Sequence, residues 1–182
     1  MGWSPLPGLV MSTRCGDIDA SIALALCADR SPAEVIKLLN NHSGLVGLTG
    51  GVISDLRDAY AISLQPTHKH YEICKLAFDV YCHRLIGAIG SLVAALGGID
   101  VLAFTDDLGF NMPILRQVVC SRLAFLGIQI DQDLNAKATK GNGPLAYSDT
   151  TEIQATSSQV RVAVIVNYEE IVIAREAKPF LA

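Results

Sequence analysis

The chain has 182 residues, of which 51% are hydrophobic, and carries a formal net charge of −4. This length allows one sizeable hydrophobic core, or one domain with an appendage. The negative charge argues against a general nucleic-acid binder, which would show a basic face. Gly, Arg or Asp interrupts every long apolar stretch before 18 residues, so no transmembrane helix is predicted, and the N-terminus lacks the order of a signal peptide.

The first 54 residues alternate loops and helices. The first ten residues are rich in Pro and Gly and read as a loop, in which Trp3 is expected to enter an apolar pocket. Asp19 suits the N-cap of a helix whose Ile22, Leu24 and Leu26 indicate burial. Ser31, followed by Pro and by a Glu three residues on, predicts a second helix, which is expected to stop near Gly44. The Gly-rich stretch 45–54 lacks the GK[ST] of a phosphate loop, and a flexible turn explains it better.

The middle of the chain contains the longest helical pattern. Apolar residues recur at three- and four-residue steps from Lys69 to Leu96, and Gly97-Gly98 follows as a C-cap. Val101–Thr105 then reads as a buried strand, residues 106–111 as a turn, and Pro113 as the first position of a new helix. On pattern alone this is either a plain strand-to-helix connection or an anion site at the helix N-terminus.

The last third predicts a helix, strands and an exposed loop. The helix from Pro113 to Leu126 ends at Gly127, and Ile128–Ile130 resembles a short strand. Asp131–Ser148 is polar and reads as an exposed loop. Val160–Val166 is nearly all apolar, as a central strand covered on both faces should be. Strands that alternate with helices predict an α/β layered domain.

Five cysteines, an odd number without a CxxC pair, indicate reduced thiols in a cytosolic protein. A zinc site made of Cys74, Cys82 and His83 is conceivable, but the spacing of its cysteines does not match usual structural sites.

Four stretches, taken together and in order, resemble the acetate kinase family. GGIDVLAFTDDLGFNMPILR (97–116) resembles the strand and adenosine-binding turn of that family, and GWSPLPGLVMSTRCGDID (2–19), GLTGGVISDLRD (47–58) and RVAVIVNYEEIVIAR (161–175) resemble three further motifs. The resemblance covers essentially the whole chain but only the C-terminal half of the family's usual sequence.

This resemblance implies a fold and a division of the chain. The expected fold is an actin-like, ribonuclease-H-type α/β domain, the C-terminal domain of acetate kinase, with VLAFT and VRVAVIV side by side in a mixed sheet flanked by helices. Residues 1–168 would form the nucleotide-side domain. Residues 169–182 would form a terminal helix that, in the family, crosses back to the N-terminal domain, which this chain lacks. Ile171–Ala182 would then be mobile or pair with a second copy.

The implied activity is ATP-dependent phosphoryl transfer to acetate, giving acetyl phosphate and ADP, with Mg²⁺. Arg14 matches the family arginine implicated in holding the transferring phosphate and acetate, and Glu169 matches the glutamate implicated in magnesium binding. Without the family, Arg14 would be read as a helix-capping residue and Glu169 as an acidic residue at a helix N-terminus. The residues that match nucleotide-lining positions are Asp55, Leu56, Arg57, Asp107, Leu108 and Asn111.

The sequence departs from the family at this same turn. Asp106 and Asp107 replace two small residues, which the family uses where backbone approaches the nucleotide and φ can be positive. Aspartate adds bulk and negative charge beside a polyanion, so weak or absent nucleotide binding is expected. Whether the chain is an active enzyme is left open, and the isolated half is expected to be impaired. The alternative is a non-catalytic remnant or dimerisation module with a degraded nucleotide site.

The partners implied by the family are acetate, a nucleotide and a second copy of the chain. A separate chain carrying the N-terminal half is a further possible partner. A cytoplasmic location, without nucleic-acid or membrane partners, is expected.

Overall fold

A computed structural model describes residues 3–138, 150–167 and 169–180, apart from the side chains of Glu169 and Glu170. The chain divides into two compact units, Met1–Leu92 and Val93–Ala182. The helices that begin in the first unit are α1 Ala20–Leu26, α2 Pro32–Asn41, α3 Gly44–Leu48, α4 Leu56–Ser63 and α5 Tyr71–Leu96. The second unit contains β1 Val101–Phe104, α6 Asp106–Asn111, α7 Pro113–Arg122, α8 Gln132–Lys137, β2 Thr150–Glu152, β3 Arg161–Ile165 and α9 Glu169–Ala177, with 3₁₀ turns at Ala124–Leu126 and Lys178–Phe180.

Local signals place the helix ends of the first unit. Asp19 accepts a hydrogen bond from the Ser21 amide at the start of α1. At α2 the Ser31 hydroxyl accepts from the Glu34 amide, and the Glu34 carboxylate accepts from the Ser31 amide, which completes a capping box. Both predicted helix starts are confirmed, because each depends only on residues within one turn. The helix α4 was not predicted.

Two predictions of burial in the first unit are wrong. Trp3 is fully exposed rather than held in a pocket, and Ile22 and Leu24 are 51% and 74% exposed. Helix α1 has no buried residue at all. An apolar stripe shows which face of a helix avoids water, but it does not show whether another element covers that face.

Helix α5 is the longest element, and Gly97 terminates it in the left-handed conformation at φ +74°. The Gly98 amide donates to the Val93 carbonyl at 3.1 Å, as a C-cap should. Among the helices that the structure describes, α5 alone is long and apolar enough to cross a membrane by length and composition. One such helix is weak evidence for a membrane span, and only 17% of its apolar window is buried.

The second unit contains a mixed three-stranded sheet in the order β1-β3-β2. Strand β1 runs parallel to β3, with Val101 opposite Arg161 and Phe104 opposite Val164, and β2 runs antiparallel to β3. The central strand is covered on both faces, since Val162, Ala163 and Val164 are at most 5% exposed. The predicted pairing of β1 with β3 is therefore confirmed, in a helix-rich α/β domain of the actin-like ATPase type.

Three local predictions in the second unit need correction. Residues 106–111 form the short helix α6 rather than a turn. Ile130 makes a single bridge to Gln154 in place of a strand over 128–130. The predicted loop after residue 130 begins with α8, because Asp131 accepts from the Leu134 amide at 2.9 Å and caps it. The remainder of that loop, residues 139–149, lies outside the described residues.

Candidate functional site

Arg14 lies on a tight loop, residues 11–14, that is bound to the start of α3. The Met11 amide donates to the Arg14 carbonyl at 3.1 Å, which closes the loop on itself. Three amides, those of Ser43, Leu45 and Val46, donate to the carbonyls of Thr13, Met11 and Ser12 at 2.9 to 3.0 Å. The Arg14 side chain is exposed. The backbone under Arg14 is thus held in place while its guanidinium remains available at the surface.

Gly44 allows this contact and was missed in the sequence. It adopts φ +61°, and a Cβ added there would lie 2.1 Å from the Met11 carbonyl oxygen and 2.7 Å from that of Arg14. No residue with a side chain could bring α3 this close to the loop. The glycine after Ser43 was visible in the sequence, but it was interpreted only as the end of the preceding helix.

Asp55, Leu56 and Arg57 form the start of α4. Asp55 is the N-cap and accepts from the Arg57 amide at 2.8 Å. The Arg57 guanidinium also donates to the Asp55 carboxylate, with Nε 2.9 Å from Oδ1 and Nη2 2.5 Å from Oδ2. This pairing lowers the pKa of Asp55. Leu56 is 1% exposed and belongs to the core, so only its backbone is placed to meet a ligand.

The second group of candidates lies on α6, directly after strand β1. The Asn111 amide donates to the Asp107 carboxylate at 2.6 Å, so these two candidates contact each other across one helical turn. Leu108 is partly exposed between them. Gly109 is buried, and a Cβ added there would lie 3.3 Å from the carbonyl carbon of Phe104, so α6 packs tightly onto the end of the strand.

Asp106 has an unusual backbone for its residue type. Its φ of +66° makes it the one non-glycine residue with positive φ among the residues that the structure describes. Aspartate tolerates this left-handed conformation better than most residues, but glycine adopts it without steric cost. The expectation that this turn suits glycine is therefore supported by the backbone itself.

Arg116, at the end of the adenosine-turn motif, received no role in the sequence analysis, yet its side chain is fully buried. All five of its N–H groups donate to oxygens of neighbouring segments, at distances of 2.7 to 3.0 Å. Burial lowers the pKa of Arg116 to about 10, so the guanidinium stays charged at neutral pH. Burial also raises the pKa of the nearby Cys120 thiol to about 12.

The metal candidate gives less information. Glu169 begins helix α9, and its side chain lies outside the described residues. The described part of the chain contains no cluster of three or more His, Cys, Asp and Glu residues that could hold a metal ion. Cys74 and Cys82 are buried and His83 is exposed, so the zinc site considered for them gains no support.

Each unit therefore contributes its own candidates. The first unit pairs Asp55 with Arg57 and holds the Arg14 loop; the second pairs Asp107 with Asn111 and contains Glu169. A cavity of about 360 Å³ adjoins the Arg14 loop in the first unit, between Cys15, Gly44 and Arg84. The cavity offers space for a small ligand beside the cationic side chain of Arg84.

Comparison with known proteins shows one consistent likeness. The profile of the acetokinase family matches residues 1–175. The acetate kinase of Thermotoga petrophila is 39% identical over 180 residues, which are 98% of this chain and 42% of that protein. The acetate kinase of Clostridium kluyveri is 41% identical over 180 residues, which are 98% of this chain and 41% of that protein.

Solved structures agree with this likeness. The crystal structure of acetate kinase from Entamoeba histolytica superposes with a TM-score of 0.86 at 38% identity, over 98% of this chain and 44% of that one. A propionate kinase from Francisella tularensis gives a TM-score of 0.79 at 32% identity, over 97% of this chain and 42% of that one. The chain spans about two fifths of the length of the relatives that it matches.

Proposed function

The chain belongs to the acetokinase family, and from this we propose that it is the nucleotide-side half of an acetate-kinase-type phosphotransferase. The reaction is phosphoryl transfer from ATP to acetate, which gives ADP and acetyl phosphate. The observation that carries the proposal is that a relative named acetate kinase matches 98% of this chain at 39% identity. Because that match extends over 42% of the relative, the proposed activity needs further residues in addition to these.

Phosphoryl transfer requires a cation at the moving phosphate, a metal held by carboxylate and a pocket for the nucleotide. Arg14 is the proposed cation, and the hydrogen bonds that hold its loop support this role, since a rigid backbone keeps the charge in position. Glu169 is the proposed Mg²⁺ ligand. A bound Mg²⁺ would neutralise charge on the transferring phosphate.

The proposed nucleotide contacts are Asp55, Leu56 and Arg57 in the first unit. In the second unit they are Asp107, Leu108 and Asn111. The ion pair between Asp55 and Arg57 holds these two side chains together at the start of α4. Leu56 would contribute through its backbone, because its side chain is buried.

The aspartates of α6 oppose nucleotide binding in this proposal. The Asp107 carboxylate occupies the Asn111 amide, which would otherwise be available to a ligand. Asp106 and Asp107 both add negative charge where a polyanion would approach. The chain by itself is therefore proposed to bind nucleotide weakly and to be catalytically impaired.

Titration calorimetry with Mg-ADP tests the nucleotide half of the proposal. Changing both Asp106 and Asp107 to glycine should tighten binding by roughly 5- to 150-fold, which corresponds to about 1 to 3 kcal/mol. Asp133→Asn, which removes a charge from the exposed first turn of α8, is the matched control and should leave affinity unchanged. Equal affinity before and after the glycine changes would show that the turn does not limit binding.

A direct assay tests the activity. The chain alone should form no acetyl phosphate from ATP and acetate above a blank, whereas addition of a separately expressed N-terminal half from a relative should restore formation. Arg14→Ala should abolish the restored activity, and Arg30→Ala, which removes an exposed arginine paired with Asp29, should retain it. Turnover by the isolated chain that Arg14→Ala abolishes would overturn the proposed impairment.

The alternative function is a non-catalytic dimerisation module. Its support is the apolar surface of α5, where Leu76 and Leu92 are 54% and 64% exposed. Analytical ultracentrifugation with Leu76→Gln distinguishes the two functions. Two results together would favour the dimerisation module. The chain would form a dimer that Leu76→Gln dissociates, and it would bind no Mg-ADP even with glycine at positions 106 and 107.

The proposed partners follow from the same exposed surfaces. Helix α9 presents three consecutive aliphatic residues, Ile171, Val172 and Ile173, which are 38% to 65% exposed. An N-terminal half, as a separate chain or as further sequence, is the proposed cover for them, and a second copy is the proposed partner of α5. The division into a nucleotide-side domain over 1–168 and a crossing helix over 169–182 is part of this proposal, as is a cytoplasmic location.

A further inference from the structure

Arg116 joins three helices through one side chain. It is carried by α7, and its Nη1 donates to the carbonyls of Gly109 and Phe110 at 2.8 and 3.0 Å. Its Nη2 donates to the carbonyls of Asn135 and Ala138 at 2.7 and 2.9 Å, while its Nε donates to the Asn135 side-chain oxygen at 2.7 Å. The five donors of the guanidinium are thus matched by five oxygens, all of them neutral.

These acceptors lie at the ends of two helices. Gly109 and Phe110 are in the last turn of α6, and Asn135 and Ala138 are in the last turn and at the C-cap of α8. The final carbonyls of a helix lack partners within it and carry roughly half a negative charge in sum. Both helix ends therefore direct partial negative charge at the guanidinium, and all five of its donors are bonded. This explains how a fully buried arginine is stabilised without an acidic partner among the described residues.

The same contacts fix the position of α6. The α6 carbonyls bound by Arg116 come directly after Leu108 and directly before Asn111, two of the residues proposed to contact the nucleotide. Gly109 also packs against Phe104 at the end of β1. The helix is therefore held between the strand and a guanidinium that is anchored on α8.

We propose that Arg116 is a positioning residue for the nucleotide site, which sets the placement of Leu108 and Asn111 by capping the C-terminal ends of α6 and α8 together. This proposal rests on the proposed function only in naming the ligand as a nucleotide. A lysine cannot replace Arg116, since an ammonium has three donors at one point and cannot reach both helix ends in a planar fork.

Hydrogen exchange of the full chain, followed by NMR, tests the capping without any nucleotide. In Arg116→Lys the amides of α6, together with those of Asn135 and Ala138 in α8, should exchange about tenfold faster or more. The strand amides of β1 and β3 should keep their protection, and the side-chain amide signals of Asn111 should move. Arg122→Lys, an exposed position on the same helix α7, is the matched control and should change none of these signals.

Arg116→Met removes all five N–H donors from the five oxygens. It is the stronger variant, and the same amides should exchange faster still than in Arg116→Lys. Unchanged exchange in α6 and α8 of Arg116→Lys would overturn the proposal. A uniform loss of protection across β1, β3, α6 and α8 would overturn it as well, because it would show a general contribution to stability.

The positioning role has its own readout in the chain with glycine at positions 106 and 107. There Arg116→Lys should weaken Mg-ADP binding about tenfold or more, while Arg122→Lys should not. If the glycine chain binds no Mg-ADP at all, the proposed function fails, and the exchange experiment still decides whether Arg116 positions α6. If the glycine chain binds and Arg116→Lys binds equally well, the proposed function stands and the positioning role fails.

Discussion

Gly44→Ala should disrupt the Arg14 loop far more than an ordinary glycine substitution would. Two separate effects act at this position: the backbone is left-handed at φ +61°, and the new Cβ would lie 2.1 Å from the Met11 carbonyl oxygen. Relief of that overlap requires α3 and the loop to separate. Separation breaks the three backbone hydrogen bonds from the amides of Ser43, Leu45 and Val46.

The magnitude follows from these two effects. An alanine at positive φ costs about 1 to 2 kcal/mol, offset by about 0.4 to 1 kcal/mol because alanine restricts the unfolded chain. Three backbone hydrogen bonds at roughly 0.5 to 1.5 kcal/mol each add about 1.5 to 4.5 kcal/mol. The free energy of unfolding should therefore fall by about 2 to 5 kcal/mol.

Gly50→Ala is the control that separates the two effects. Gly50 has nearly the same backbone, φ +63°, but nothing lies within 4 Å of an added Cβ. Its substitution should lower the free energy of unfolding by about 0.5 to 1 kcal/mol through backbone strain alone. Urea unfolding should be followed by far-ultraviolet circular dichroism, because the single tryptophan, Trp3, is fully exposed and its fluorescence would change little. Equal destabilisation by the two substitutions would refute the close approach of α3 to the loop.

Three further outcomes are expected. Asp106→Ala should lower the midpoint of thermal unfolding relative to Asp106→Gly, because only glycine adopts φ +66° freely; equal midpoints would contradict a left-handed residue there. The exposed Cys27 should react quickly with a maleimide at pH 8. Cys120 should react only on unfolding, because its thiol is buried and its pKa of about 12 leaves very little thiolate at that pH; mass spectrometry of partly labelled protein would show the order. Amides of Ile171–Ala182 should exchange faster than those of Val160–Val166, because the aliphatic residues Ile171, Val172 and Ile173 of α9 are exposed in this structure whereas the central strand is buried; equal protection in a monomeric sample would count against a docking role for α9.

The sequence determined the elements whose signals are local. The capping box at Ser31, the left-handed glycine at the end of α5, the proline that begins α7 and the apolar strands β1 and β3 all appear where they were predicted. Each of these features depends on residues within one turn of helix or within one strand. The residues that interact are therefore neighbours in the sequence and can be recognised there. The four motifs likewise sufficed to indicate the family and the small mixed sheet.

Only the tertiary structure decided which residues lie underneath the candidate site. Arg116 and Asn135 are 19 positions apart, and nothing in either stretch indicates that a charged side chain would be buried between two helix ends. Gly44 looked like an ordinary helix stop until the loop carrying Arg14 was found against it. Conversely, Ile22 and Leu24 look like core residues in the sequence but are exposed. Burial and capping across the chain depend on which distant segments meet, and a pattern of neighbouring residues does not contain that information.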